Sequence, residues 1–350
     1  MTTKIPATII TGFLGSGKTT LIQNLIRSAN GRRIALIVNE FGDLGFDGEQ
    51  IAGCGIEGCA DDDVVELTNG CICCTVADDF LPTMEMLLAR KPAPDHIVIE
   101  TSGLALPQPL VQAFNWPSVA TQTTVDGVIT VADSEALAEG LYVADVAKVD
   151  EQRQADESLD HETPIDELFA DQVRCADLIV LSKTEGLSDE ALAKADEIVS
   201  GRREGVETIR STQNGLPAAL LLGLEAASEE DFRADGEGSR AAAHHHHEDK
   251  GHDHDHHHDE FASTVLTPQP FATREALDAY VASLCAKPGV LRVKGATSIE
   301  GKAAPIIVQA VGQRISSHFD ASGRPQKQGL VVIGLAPLPD LEIADQANAA

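Results

Sequence analysis

From the amino terminus to about residue 220, short runs of apolar residues alternate with longer stretches in which apolar residues recur at helical spacing. The runs at 7–11, 34–39, 64–67, 96–100, 127–131, 178–182 and 207–210 predict strands. Most are continuously apolar over four to six residues. That is the pattern of strands buried on both faces, not the alternation of a one-sided sheet. Between them, residues 19–28 set Leu21, Ile22, Leu25 and Ile26 on one helical face. Thr163 and Pro164 form an N-cap and first-turn pair that opens a helix over 165–176. Strand–helix alternation predicts an α/β domain over 1–224 with a mostly parallel sheet, antiparallel members being left open.

At about residue 225 this pattern stops. Residues 225–262 carry twelve acidic against three basic residues and nine of the chain's twelve histidines: His244–His247, His252, His254 and His256–His258. The composition predicts a flexible, charged linker. Its histidines are interleaved with Asp and Glu, unlike an expression tag. As neutral imidazoles they bind divalent cations weakly and exchangeably. Periodicity resumes at 263. Strands are expected at 263–266, 290–294, 306–311 and 330–333, with an amphipathic helix at 273–285 bearing Leu277, Tyr280, Val281 and Leu284. This predicts a smaller α+β domain over 263–340, and there are no internal repeats.

Composition narrows the function. With 43% apolar and 23% charged residues the chain supports a sizeable core. Lys and Arg total 26 against 55 Asp and Glu, a formal charge of −29. Such a field repels a phosphate backbone, which argues against nucleic acid as a partner. No run approaches the roughly 20 apolar residues of a membrane span. The first residues lack the features of a signal peptide, so a cytoplasmic location is expected.

Gly12-Phe-Leu-Gly15-Ser16-Gly17-Lys18-Thr19 matches G-x-x-x-x-G-K-[ST] between a strand and a helix. Glycines let main-chain N–H groups curl around phosphates. Lys18 is expected to reach the β- and γ-phosphates, and the Thr19 hydroxyl to bind Mg²⁺. Glu100, at the end of a buried strand in Glu100-Thr-Ser-Gly103, suits a role in holding Mg²⁺, with the Gly103 amide near the γ-phosphate. Cys71, Cys73 and Cys74 place three of seven cysteines within four residues. Such thiols can ligate one soft or borderline ion; the alternatives are a redox pair or buried structural cysteines. Cys54 and Cys59 read as incidental thiols of a polar loop or an auxiliary site, and Cys175 and Cys285 as small buried hydrophobes. Glu40 and Asp43 close another strand, near the phosphates or a transferred metal, or else in a solvated loop. Ser182-Lys183-Thr184-Glu185 follows a late strand and resembles the guanine-reading Asn-Lys-x-Asp motif. Glu185 can accept the guanine N1–H and amine, but Ser182 cannot supply the Asn amide.

GFLGSGKTT, NEFGD, ELTNGCICC and ETSG, in this order, resemble the CobW-type P-loop GTPases, metallochaperones related to the nickel-insertion GTPases of urease and hydrogenase. The likeness covers nearly the whole chain, the carboxyl-terminal unit included. It implies a SIMIBI-like GTPase fold. It also implies that Gly12, Leu14, Gly15, Ser16, Gly17, Lys18, Thr19 and Thr20 bind the phosphates of GTP or GDP. Cys71, Cys73 and Cys74 are then the site of the carried metal, and Ser182, Lys183 and Glu185 lie at the guanine motif; Thr19, toward Mg²⁺, and Glu40 are the further candidate metal ligands. The branch it most resembles implies GTP-dependent delivery of Co²⁺ to the cobaltochelatase of cobalamin synthesis. Thiolate chemistry favours Zn²⁺ over Co²⁺, so zinc is the rival cargo, and a His-rich metal buffer is the third reading. No residue identifies itself as an arginine finger, so slow turnover is expected, raised by a partner or a nucleotide-dependent homodimer.

Overall fold

The computed structural model describes residues 4–29, 31–39, 64–67, 80–155, 163–211, 215–232, 261–312, 314–320 and 328–341. The chain divides into two compact units, with the boundary at residues 243 and 244.

Among the described residues the first unit has seven strands: β1 (Ile5–Thr11), β2 (Ile34–Asn39), β3 (Val64–Leu67), β4 (His96–Glu100), β5 (Thr123–Asp133), β6 (Leu178–Ser182) and β7 (Glu207–Arg210). They lie in the order β3-β2-β4-β1-β5-β6-β7, and all six neighbouring pairs are parallel. A hairpin cannot join parallel neighbours, so the connections cross the faces of the sheet and carry helices. Among the described residues the helices of seven or more residues are α1 (Lys18–Arg27), α2 (Leu81–Ala89), α3 (Pro107–Ala113), α4 (Val146–Ala155), α5 (Ile165–Cys175) and α6 (Asp189–Ser200).

Burial on both faces explains the continuous apolar runs. Ala7, Ile9, Ile37, Ile97 and Ile99 pack with Phe80, Met84 and Leu87 around α2, and with Leu110 and Phe114 around α3. A second core joins Phe13, Leu104, Leu168, Phe169, Val173, Leu181, Ala195 and Val199 around α5 and α6. Strand β5 runs beyond the predicted 127–131 because its polar residues are buried with partners. Thr123 Oγ1 donates to the Val119 carbonyl at 3.0 Å, and Asp126 is 1% exposed. Helix α5 opens at Ile165 as expected, but its N-cap is Pro164, with no side-chain bond, and not Thr163.

The expected linker boundary is corrected. Residues 225–232 do not lead away from the first unit but pack on it. Asp126 accepts from the N–H groups of Gly223, at 2.6 Å, and Glu225, at 2.9 Å. Glu229 is buried and accepts from Thr124 Oγ1 at 2.6 Å and Val125 N at 2.9 Å. Asp177 accepts from Val128 N at 2.8 Å and Ser228 Oγ at 2.5 Å. Glu229, counted in the charged linker, is here an acceptor for otherwise orphaned donors, as are Asp126 and Asp177. Residues 233–260, with the nine clustered histidines, lie outside the described residues.

Among the described residues the second unit has five strands, β8 (Phe261–Leu266), β9 (Val290–Thr297), β10 (Ile306–Val311), β11 (Arg314–Phe319) and β12 (Gly329–Leu335), and helix α7 (Arg274–Cys285). The order is β11-β10-β9-β12-β8, all antiparallel. Helix α7 packs Leu277, Val281 and Leu284 against Val293, Val308 and Val332. Thr273, expected as the first residue of the helix, is its N-cap, and its Oγ1 accepts from Ala276 N at 3.1 Å. Strand β11 was not predicted. Its sequence, RISSHF, is mostly polar, and among the described strands it sits at an edge, paired with β10.

Candidate functional site

In a parallel sheet with helices on both faces, ligands gather at the carboxyl ends of the strands. Here β1, β4, β5 and β6 end together around the loop 12–17. The loop must turn sharply from β1 into α1. Gly12, Gly15 and Gly17 adopt φ of 135°, 75° and 96°, which side chains disfavour. At Gly12 space is also closed, since a Cβ would overlap the Val131 carbonyl oxygen of β5. Gly17 is the left-handed N-cap of α1, with no side-chain capping bond, so the helix presents its N-terminal N–H groups and positive dipole end to the loop.

Lys18 is buried, and its ammonium donates to the Phe13 carbonyl at 3.1 Å, spanning the loop. Thr19 Oγ1 donates to Glu100 Oε1 at 3.4 Å, so the hydroxyl and carboxylate expected to share one ion are neighbours. Leu14 is exposed at the tip. Thr20 follows on α1 and is exposed.

The hydroxyls of Thr11, Ser16, Thr101, Ser102 and Ser134 are buried and have no hydrogen-bond partner among the described residues. All five lie at or just beyond the carboxyl ends of β1, β4 and β5, or in the loop itself. Ser16 was expected among the phosphate-binding residues; sequence reasoning missed the other four, although Thr101 and Ser102 belong to the quoted ETSG motif.

Gly103 explains its own identity. A Cβ there would lie 2.6 Å from the Leu14 nitrogen, so the turn after β4 backs directly on the glycine loop. Ser182 is buried at the end of β6. Its Oγ donates to the Ser16 carbonyl at 2.6 Å and also lies 3.1 Å from the Ala132 carbonyl, tying the end of β6 to the glycine loop. Lys183 holds a left-handed φ of 53° and pairs with Asp133 at 2.6 Å. Asp133 in turn caps the helical turn 134–138 through Glu135 N and Ala136 N. That carboxylate was not anticipated, because 50 residues separate it from Lys183. Glu185 is exposed beside them. Thr184 Oγ1 reaches the Ser211 carbonyl at 3.2 Å, joining the ends of β6 and β7.

Cys71, Cys73, Cys74, Glu40, Asp43, Cys54 and Cys59 lie outside the described residues. Cys175 is buried as expected, whereas Cys285 is only partly so. Among the described residues no group of three or more His, Cys, Asp or Glu is placed to hold a metal ion.

Residues 6–210 match the CobW/HypB/UreG nucleotide-binding domain, and residues 261–348 the cobalamin synthesis protein cobW C-terminal domain. The zinc chaperone CobW of a Sinorhizobium species is 50% identical over 344 residues, which cover 97% of this chain and 95% of that one. The zinc chaperone CobW of Pseudomonas aeruginosa is 45% identical over 355 residues, 99% of this chain and 92% of that one. The zinc-regulated GTPase metalloprotein activator 1 of Schizosaccharomyces pombe is 36% identical over 239 residues, 65% and 51% of the two chains. A glycine loop built between β1 and α1, and a match that spans both units, have one common explanation: the chain belongs to the CobW/HypB/UreG family and carries that family's CobW C-terminal domain.

Proposed function

We propose that this chain is a GTP-dependent metallochaperone whose glycine loop holds the nucleotide and whose cysteines Cys71, Cys73 and Cys74 carry the ion. The observation that supports it most is the set of buried hydroxyls around the loop, at Thr11, Ser16, Thr101 and Ser102. A buried polar group without a partner costs about 1–3 kcal/mol, a loss that a phosphate ligand would recover. Positive-φ glycines, the N-terminus of α1 and the buried Lys18 add the donors and charge that phosphates need. In this reading Gly12–Thr20 cradle the phosphates and Lys18 steadies the terminal one. Ser182, Lys183 and Glu185 face the base. Thr19 and Glu100 fit a magnesium site, since a hydroxyl and a carboxylate already lie together there. Magnesium there would offset charge on the phosphates.

Zinc is the cargo we assign first. Two relatives of 50% and 45% identity are named zinc chaperones, and thiolates prefer zinc to cobalt. Delivery of Co²⁺ toward a cobaltochelatase is the second reading, favoured by the match of residues 261–348 to a cobalamin synthesis domain. Glu40 belongs with the cysteines in this proposal. Slow basal hydrolysis, a separate recipient protein and a nucleotide-dependent homodimer complete it. Among the described residues no helix is long and apolar enough to cross a membrane.

Competition between Zn²⁺ and Co²⁺, with Mg²⁺ and a non-hydrolysable GTP analogue present, tests the cargo. Zinc should displace cobalt, and Cys73→Ser should abolish tight binding while GTP still binds. By linkage, metal must tighten GTP by the factor with which GTP tightens metal. Equal metal affinity with GDP and the analogue would refute the coupling, and unchanged affinity in Cys73→Ser would remove the cysteines from the site.

A further inference from the structure

Gln172 lies on α5, the helix over β5, and is fully buried. Its side-chain amide donates to two carbonyls of the turn after β4, that of Gly103 at 3.0 Å and that of Ala105 at 3.2 Å. Turning the amide over would set its oxygen against both carbonyl oxygens, so the two acceptors fix its orientation. Helix α5 is itself pinned at this residue, where Thr130 Oγ1 of β5 donates to the Gln172 main-chain oxygen at 2.9 Å.

The turn is held from other sides too. Ala105 N donates to the Ser102 carbonyl at 3.0 Å, which closes it. At Gly103 it backs on the Leu14 nitrogen of the glycine loop. Leu104 and Ala105 pack with Phe13 and Phe169, and the Phe13 and Phe169 rings stack at 6.3 Å. Gln172 therefore grips by its main chain a turn that touches the phosphate loop on one side and follows Glu100 on the other. Because the Gly103 carbonyl is aimed at α5, the N–H of the same trans peptide, that of Leu104, points the opposite way. Two hydrogen bonds from one buried amide thus set the peptide orientation of the turn.

We propose that Gln172 is a positioning residue for GTP hydrolysis: it holds the turn 102–105 where its main chain meets the terminal phosphate. The proposal rests on the nucleotide reading above. Gln172 does not touch the nucleotide; it acts through Gly103 and Ala105. GDP lacks the phosphate that the turn meets, so Gln172 discriminates between the two nucleotides. It also makes α5 a lever on the turn, because a shift of the helix moves both carbonyls together.

The test uses the full chain with two substitutions. Gln172→Met keeps volume and removes both donors. Gln172→Glu keeps shape and donates one bond only while protonated. For Gln172→Met, kcat and the affinity for a non-hydrolysable GTP analogue should each fall about tenfold, while GDP affinity stays within about twofold. Gln172→Glu should lie closer to wild type at pH 6 than at pH 8.5, since two facing carbonyls raise the carboxyl pKa and ionisation removes the donor. That pH profile carries the test if Gln172→Met does not fold. Equal weakening of GTP and GDP in both variants would reduce Gln172 to a structural role and overturn the proposal. So would wild-type kinetics in both. A wild-type chain that binds no nucleotide would overturn the parent reading as well, and it is told apart because it appears before any substitution is made.

Discussion

The two ends of the seven-stranded sheet bury polar groups in opposite ways. At the amino end, Asp126, Asp177 and Glu229 each accept from main-chain N–H groups and hydroxyls, and the segment 223–232 is strapped down by them. Thr8 Oγ1 donates to Asp126 at 3.2 Å and lies 2.8 Å from His96 Nε2. Its single proton is spent on Asp126, so the imidazole must donate, and burial pushes the His96 pKa down while Asp126 pulls it up. At the carboxyl end, five buried hydroxyls have no partner among the described residues, and glycines replace side chains where the loop turns. A polar group that the protein satisfies itself is architecture. One left unsatisfied around a glycine loop costs stability, and a ligand that completes it offsets that cost. The contrast separates structural from functional polarity without reference to any relative.

The contrast breaks most sharply at Gly12. Gly12→Ala drives a Cβ into the Val131 carbonyl at a φ of 135° and should lower nucleotide affinity by about 100-fold or more, read by calorimetric titration. Next comes Asp126→Ala. It strands the Gly223 and Glu225 amides, and urea unfolding should show a loss of about 3–5 kcal/mol. Nucleotide affinity of the folded variant should stay within about twofold, because this end carries structure only. A large loss of affinity there would erase the distinction between the two ends.

Glu207 sharpens it from the other direction. It opens β7 opposite Leu178 at the amino end, and burial pushes its carboxyl up to about 7. Its folded pKa lies above its ordinary value of 4.5, so the native state holds the proton more tightly. Stability from this group is full below 4.5 and is lost as pH rises through about 7. Glu207→Gln should therefore unfold at higher urea than wild type at pH 8, by about 2–3 kcal/mol, with the gain absent at pH 4. A gain of equal size at both pH values would show that ionisation is not its source. The smallest effect is expected at Ser16→Ala. Removing an unsatisfied hydroxyl should leave stability unchanged or raise it by about 1 kcal/mol, while triphosphate affinity falls several-fold. Lost stability with unchanged affinity would mean that Ser16 belongs with the amino-end residues.

Much of this was readable from residue order alone. Short runs, most of them continuously apolar, located the seven described strands of the parallel sheet, because strands covered on both faces leave little choice of residue. Glycine spacing identified the phosphate loop, because few sequences turn that tightly while presenting N–H groups. Strand β11 escaped because an edge strand with a solvated face needs no apolar pattern. The segment 225–232 was misread because its acidic composition says solvent, whereas Glu229 finds its donors on β5, more than 100 residues away. Local pattern carries the covalent neighbourhood and the hydrophobic period, and so it decides which elements form. Which hydroxyls are left over, which carboxylate meets Lys183, and which glutamine grips the turn after β4 depend on atoms brought together across 50 residues or more. Those pairings exist only once the sheet order has been set, because hydrogen bonds are short and the chain that connects their partners is long.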